Sequence, residues 1–231
     1  MAPSIIDIDQ TVLRNHPVFR VCDPGELEKI ETSKKVVEFQ KEKPIFMRDD
    51  PAEAIFCLCR GTAKILKYNP WKKSEQLIYL AKEGEVLGLS SILSQPTYPY
   101  TAIPLDTVQG YFVPRADIVQ LMEKYPRLSL RIMKHVCLEI ETVERQISSL
   151  ARKTVSQRVA EVLLTLYNRF GTDPHQHLQI KLSRSELAEL ANTTPLNLSR
   201  TLKQFQRQGI LLVGRNQIQL LAPSRLMELS G

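Results

Sequence analysis

The sequence predicts an α+β chain in three segments: a β-rich N-terminal domain, a long helix, and a helical C-terminal domain closed by a small β-hairpin. Three observations predict it. Seven short β-rich runs crowd between residues 35 and 114, with turn residues between them. Apolar residues then recur every three or four positions from about Pro126 to Leu150. Finally, Leu182 to Leu211 reads as two short amphipathic helices joined by a tight turn. The segments are residues 1–125, 126–150 and 151–231. A chain of 231 residues suits two domains, and 43% hydrophobic content supplies a core for each.

The β-rich runs are KVVEF, PIFM, AIFCLC, TAKILKY, QLIYLA, TAIPL and VQGYFVP. Their close spacing predicts a barrel or a jelly-roll-like sandwich. Short helices near Pro24–Glu31 and Arg115–Lys124 frame it. Cys22, Cys57, Cys59 and Cys137 are expected to be free thiols in a reducing cytosol. Cys57 and Cys59 are two apart on a strand and share a face; they read as buried core thiols, or as a redox or metal pair. No CxxC is present. His16 and His135 stand apart from each other in sequence. His175 and His177 lie in the polar loop GTDPHQH, where solvated side chains are the default and metal ligation the alternative. No metal site is assigned. No apolar run approaches the roughly 18 residues of a membrane span. The N-terminal MAPSIIDIDQ lacks the basic start and apolar block of a signal peptide. The expectation is a soluble, cytoplasmic protein with no membrane partner.

The long helix comes next. Leu130, Met133, Cys137, Ile140, Val143 or Glu144, Ile147 and Leu150 alternate in threes and fours, close to a heptad seam. A helix of roughly 24 residues is about 36 Å long, more than one small β domain covers. A parallel dimer seam is the favoured reading; a helix packed on its own domain is the other.

In the C-terminal segment Ser183 and Glu186 make a capping box for the first short helix. Leu187, Leu190 and Ala191 share one face. Asn192 and Thr193 stop it. Thr194 caps the second helix, and Pro195 fits the first turn, where its missing N–H costs nothing. Leu198, Leu202 and Phe205 face inward at i, i+4, i+7, which leaves 196, 199, 200 and 203 outward. Gly209 ends this helix. ILLV, a GRN turn and QIQLL then form a β-hairpin, so the unit reads as a winged helix-turn-helix rather than an ordinary helical hairpin in a core.

Charge supports the same reading. Residues 1–150 hold 20 basic and 20 acidic residues; residues 151–231 hold 11 and 5. The excess positive charge sits on the segment that would meet phosphates. Acidic lipid is a weaker partner, because no Lys-rich amphipathic helix with aromatic anchors accompanies it. A ligand-binding module that gates a protein partner without DNA would not need this asymmetry. No nucleophile–base constellation, P-loop or metal triad suggests an enzyme.

The order β-roll, long helix, winged helix-turn-helix resembles the cyclic AMP receptor protein and fumarate–nitrate regulator family of bacterial transcription factors, over nearly the whole chain. Gly61 in CRGTAKIL is similar to the family's glycine turn before a roll strand. Gly84-Glu85-Val86-Leu87-Gly88 resembles the turn that opens the phosphate-binding cassette. Gln157-Arg158-Val159-Ala160 resembles the start of the helix after the hinge. The resemblance implies a double-stranded β-helix of the cyclic-nucleotide-binding kind at residues 1–125, a homodimer, double-stranded DNA as ligand and RNA polymerase as a further partner. It puts Glu186, Ser199, Arg200 and Lys203 on positions that touch DNA. By that analogy Arg200 reads a guanine through O6 and N7, and Ser199 reads an adjacent base or phosphate. Arg184, Thr194, Asn197 and Lys203 are expected on phosphates. Leu196 stands where the family often carries a glutamate that accepts from cytosine; leucine instead packs on a thymine methyl.

The departures concern the effector. The implied pocket comprises Gly88, Leu89, Ser90, Tyr100, Thr101, Val143 and Glu144. Leu89 replaces the acid that holds a ribose hydroxyl in cyclic AMP receptors. Tyr98-Pro99-Tyr100-Thr101 lacks the arginine that grips the phosphate. Val143 and Glu144 replace the hydroxyl residues that read adenine. A cyclic phosphate buried without a cation is poorly compensated, so the expected effector is not cyclic AMP, although a member still responsive to a cyclic nucleotide is the alternative. Cys22 alone near the N-terminus is too few ligands for an iron–sulfur cluster. The resemblance leaves a haem-binding branch open through a His or Cys, although no residue stands out as the ligand, and the cofactor is unknown. Leu89, Ile92, Leu93, Tyr98 and Tyr100 suit a small apolar or aromatic effector, or a collapsed pocket.

Overall fold

Antiparallel pairing of short strands builds the N-terminal half of the computed structural model, which describes residues 11–70, 73–94, 96–214 and 217–231. The N-terminal MAPSIIDIDQ, Arg215 and Asn216 of the GRN turn, and the side chains of Val143 and Ile147 lie outside the described residues. The chain forms two compact units that meet between Ile140 and Glu141.

The first unit opens with α1 (Val12–Asn15), a 3-10 turn at Phe19–Val21 and α2 (Pro24–Ser33). Asp23 caps α2 by accepting from the Glu26 N–H at 3.1 Å, with Pro24 in the first turn. The strands are β1 (Val37–Phe39), β2 (Ala54–Arg60), β3 (Thr62–Asn69), β4 (Ser74–Lys82) and β5 (Val86–Leu87). After α3 (Leu89–Ser94) come β6 (Thr101–Pro104), β7 (Val108–Pro114), α4 (Arg115–Lys124) and α5 (Pro126–Arg152). One sheet runs β1-β7-β2-β5 and the other β4-β3-β6. Phe56, Leu58, Tyr111 and Val113 are fully buried in their shared core, with Ile65 and Ala102. Gly61 turns β2 into β3 at φ +93°, and a Cβ there would lie 2.4 Å from the Thr107 carbonyl oxygen. Only glycine fits such a turn.

Two strand expectations are corrected. PIFM forms no strand: it makes one isolated bridge, Phe46 to Ala102. The Met47 N–H next turns to the Asp50 carboxylate at 2.8 Å, which ends the ladder. Val86–Leu87, read as part of a turn, pairs with β2. Cys57 is fully buried and Cys59 partly so. Burial pushes the Cys57 thiol well above its ordinary range, so it behaves as a core thiol. Glu31, 0% exposed, anchors the N-terminal helices. It accepts from Arg14 Nε at 2.6 Å, from the Arg14 N–H at 3.0 Å and from the Tyr111 hydroxyl at 3.2 Å.

One face of α5 packs on its own domain. Leu128 and Ile132 are buried in the roll's core. On the opposite face Leu130, Met133 and Ile140 are 66%, 62% and 53% exposed, with Cys137 exposed between them.

The second unit contains α6 (Val155–Phe170), α7 (Arg184–Leu190), α8 (Pro195–Arg207), β8 (Leu211–Val213), β9 (Ile218–Leu220) and α9 (Pro223–Ser230). β8 and β9 pair antiparallel as the wing, and α9, absent from the sequence reading, packs on α6. The GTDPHQH loop is more ordered than expected. His177 bridges to Gln219 of the wing. Asp173 accepts from the N–H groups of His175 and His177, both at 2.9 Å, and faces His177 Nδ1 at 3.1 Å. Those donors hold the Asp173 carboxyl below its usual range. His177 is half-buried in this arrangement rather than freely solvated.

Candidate nucleic-acid interface

The helix-turn-helix forms for the reasons its sequence carries. Ser183 and Glu186 close a reciprocal capping box on α7, at 2.8 and 3.2 Å. Asn192 takes a left-handed φ of +46° in the turn. Thr194 Oγ1 accepts from the Asn197 N–H at 3.3 Å, and Pro195 occupies the first position of α8. Leu198, Leu202 and Phe205 are buried as expected, and Thr201 joins them. Each large apolar side chain so buried stabilises the unit by roughly 1.5–3 kcal/mol, which fixes the helix's rotation about its axis.

That rotation decides what faces outward. Leu196 is 61% exposed, and Arg200 and Lys203 are exposed on the same ridge. Arg207 continues it at i+4 from Lys203, and the sequence reading missed it; the periodicity that placed 196, 200 and 203 extends to it. Arg200, Lys203 and Arg207 have no hydrogen bond or ion pair among the described residues. Ser199 is half-buried, and its hydroxyl donates back to the Pro195 carbonyl at 2.8 Å. Only its lone pairs remain for another group. Asn197 is half-buried and Thr194 exposed beside it.

Other cations of this unit are occupied internally. Arg184 is half-buried and donates to the Gly214 carbonyl at the wing turn, at 3.3 Å. Arg225 donates to the Gln208 carbonyl past the end of α8 at 2.8 Å. Lys153 pairs with Glu161 at 3.4 Å. The charge excess read from the sequence therefore divides into cations that hold the fold and a ridge of cations that do not.

The glycine-bracketed cassette is arranged oppositely. Gly88 has φ +83°, and a Cβ there would meet Tyr98 at 2.9 Å. The Gly88 N–H donates to the Tyr100 hydroxyl oxygen at 2.8 Å. Tyr98 stacks on Phe46 with ring centroids 4.0 Å apart and donates to the Ala54 carbonyl at 2.5 Å. Leu89 is buried, Ser90 half-buried on α3. The Thr101 hydroxyl donates to Glu75 at 2.5 Å and accepts from the Arg48 N–H at 3.2 Å. The structure brings Gly88, Leu89, Ser90, Tyr100 and Thr101 together in one unit. Glu144 is exposed on α5 in the other unit, and the Val143 side chain is outside the described residues.

Residues 36–125 match the family model of cyclic nucleotide-binding domains, and residues 157–229 match that of Crp-like helix-turn-helix domains. The chain belongs to the Crp/Fnr family. It is 27% identical over 223 residues to the fumarate and nitrate reduction regulatory protein of Vibrio cholerae, covering 93% of this chain and 88% of that one. It is 26% identical over 199 residues to the global nitrogen regulator of Synechocystis sp., covering 84% and 88%. The solved structure of FixK2 from Bradyrhizobium japonicum shares the fold, with TM-score 0.75 at 24% identity over 86% of this chain and 98% of that one. This Crp/Fnr protein is a DNA-binding transcriptional regulator with an N-terminal cyclic-nucleotide-binding-type domain. Among its described residues no helix is long and apolar enough to cross a membrane, and no three His, Cys, Asp or Glu side chains cluster to hold a metal ion.

Proposed function

We propose that this Crp/Fnr regulator acts as a homodimer joined along α5, reads DNA with the outer ridge of α8, and answers to a signal other than a cyclic nucleotide. One observation carries the DNA reading: Leu196, Arg200, Lys203 and Arg207 form an outward row whose three cations have no partner among the described residues. In this reading Arg200 reaches a guanine edge and Leu196 packs on a thymine methyl. Lys203, Arg207, Thr194 and Asn197 lie on phosphates. Ser199 serves as an acceptor. Arg184 touches phosphate with the part of its guanidinium that Gly214 leaves free.

The dimer reading rests on the exposed stripe of Leu130, Met133, Cys137 and Ile140, spaced in threes and fours opposite the buried face of α5. In a parallel pair each Cys137 faces its own copy, so a short bismaleimide should cross-link the protein in solution. RNA polymerase is the further partner we assign, because a regulator of transcription acts on that enzyme. We read the protein as a regulator, not an enzyme, and place it in the cytoplasm with its DNA.

The effector reading rests on the cassette. No cation of the described cassette residues stands ready for a phosphate, Leu89 offers no acceptor for a ribose hydroxyl, and the Tyr100 hydroxyl already takes the Gly88 N–H. Any effector is therefore apolar or aromatic and must displace Tyr98 and Tyr100. Calorimetry with cyclic AMP and cyclic GMP should give no binding heat; a dissociation constant in the low micromolar range for either would overturn this part.

A further inference from the structure

Arg158 lies one residue past the capping box that starts α6, in which Thr154 and Gln157 bond reciprocally. Its guanidinium donates from all three nitrogens to main-chain carbonyls. Nη1 reaches Lys153 at 2.7 Å, Nε reaches Ala191 at 3.1 Å, and Nη2 reaches Asn192 at 3.2 Å. The first carbonyl belongs to the link between α5 and α6. The other two belong to the helix-turn-helix turn: Ala191 caps the C-terminal end of α7, and Asn192 holds the left-handed conformation that redirects the chain. Two residues later Thr194 caps α8.

Orphan carbonyls at the end of a helix carry negative partial charge, and a cation there is favoured. A planar guanidinium can satisfy three carbonyls at once, whereas an ammonium is a point charge on a flexible stem. The same junction is braced a turn further along α6. Glu161 accepts from the Ser149 hydroxyl at 2.7 Å and pairs with Lys153 at 3.4 Å. The last turn of α5 and the turn that launches α8 are thus bolted to one helix through two adjacent side chains.

We propose that Arg158 is a positioning residue for DNA recognition. It fixes the turn from which α8 departs and makes that turn follow the C-terminal end of α5, without itself touching DNA. The inference rests on the reading that the α8 ridge meets DNA. It separates Arg158 from the cations of the ridge, although the sequence counts all of them alike.

The test uses full-length protein carrying Arg158→Gln or Arg158→Lys, with Arg200→Ala as the control for the underlying reading. A selected binding site and an unrelated duplex are titrated at several salt concentrations, with sedimentation and thermal melting in parallel. Arg158→Gln should lose roughly tenfold in affinity for the selected site, the size expected of a coupling residue. Affinity for the unrelated duplex and the salt slope should stay at wild-type values, because no phosphate contact is removed. Arg158→Lys keeps the charge and most of the stem, so it is the variant that folds if the glutamine does not. It should lose specific affinity nearly as much, since it lacks the fork. A salt slope lowered by about one would make Arg158 a phosphate contact and overturn the proposal. So would wild-type specificity with a lowered melting temperature, or full rescue by lysine. If Arg200→Ala also binds like wild type, the failure lies with the α8 reading instead.

Discussion

The α8 ridge and the glycine-bracketed cassette sit on motifs of the same family, yet they leave their polar groups in opposite states. On the ridge, three cations point outward with no partner among the described residues. In the cassette, the Gly88 N–H, the Tyr98 hydroxyl and the Thr101 hydroxyl are each bonded to another group of the protein. A polar group left open costs nothing while water solvates it and is available to a partner. A buried polar group already bonded must lose that bond before a ligand can use it, and each such bond contributes about 1 kcal/mol net. Open groups therefore remain at α8, as unpaired cations among the described residues, and along α5, as an exposed apolar stripe.

The largest effect is expected on the open stripe. Ile140→Asp places a carboxylate in the proposed seam, where burying it against its own copy would cost several kcal/mol. Sedimentation should show monomer at concentrations where the wild type is dimer, and binding to a palindromic site should fall with it. Unchanged sedimentation would mean that the stripe is open for another reason.

A closed region responds to pH through its buried groups. His16 is 8% exposed, and its ring lies 5.6 Å from that of His135. Burial, and then the neighbouring His135, lower its pKa from 6.5 to about 4. The unfolded chain therefore binds a proton that the folded chain refuses between those values. His16 costs no stability above pH 6.5. As pH falls from 6.5 to about 4, up to about 3 kcal/mol is lost. Near-UV circular dichroism, to which the tyrosines of the first unit contribute, should follow this acid limb. His16→Asn should flatten the limb over that window. An equally steep limb in the variant would place the sensitivity elsewhere.

On the ridge, Arg200→Ala should cost roughly 1–3 kcal/mol and relax preference at one base pair per half-site. Lys203→Ala should weaken all sequences evenly and lower the salt slope by about one. Selection of binding sites followed by salt titration separates the two. Identical behaviour of both variants would show that the ridge supplies charge without reading bases.

Much of this was legible in the sequence, for physical reasons that differ by element. Ser183, Thr194 and Pro195 act locally, so the ends of α7 and α8 follow from residues within one turn. The inward stripe Leu198, Leu202, Phe205 fixes rotation by periodicity alone. The wing, α5 and six of the seven β-rich runs were readable in the same way. PIFM was not, because the Asp50 carboxylate that intercepts the Met47 N–H lies outside the run itself. Nor was β5, which is two residues long and defined only by its pairing with β2. The cassette was half legible. The absence of an acid at Leu89 and of arginine near Tyr100 could be read directly. That Tyr100 would take the Gly88 N–H, or that Glu75 from β4 would take Thr101, depends on strands brought together by the fold. The same holds for the division of the C-terminal cations: the sequence shows their number, and only the carbonyls of Lys153, Ala191 and Asn192 reveal that Arg158 is not one of the free ones.

The smallest expected effect tests how complete the closure of the cassette is. Ser91 on α3 is 1% exposed, and its hydroxyl oxygen has no hydrogen-bond partner among the described residues. A buried hydroxyl without a partner carries a desolvation penalty of roughly 1–3 kcal/mol, and Ser is a slightly poorer helix former than Ala. Removing one oxygen also forfeits a few packing contacts, each worth only about 0.1–0.2 kcal/mol. Ser91→Ala should therefore stabilise the first unit by about 1 kcal/mol, read as a higher urea midpoint by near-UV circular dichroism with unchanged slope. Cyclic nucleotides should remain without effect on that midpoint. If Ser91→Ala instead destabilises by a similar amount, the hydroxyl has a partner in solution. The cassette would then hold a polar group in use, and its contrast with the open ridge of α8 would fail at that residue.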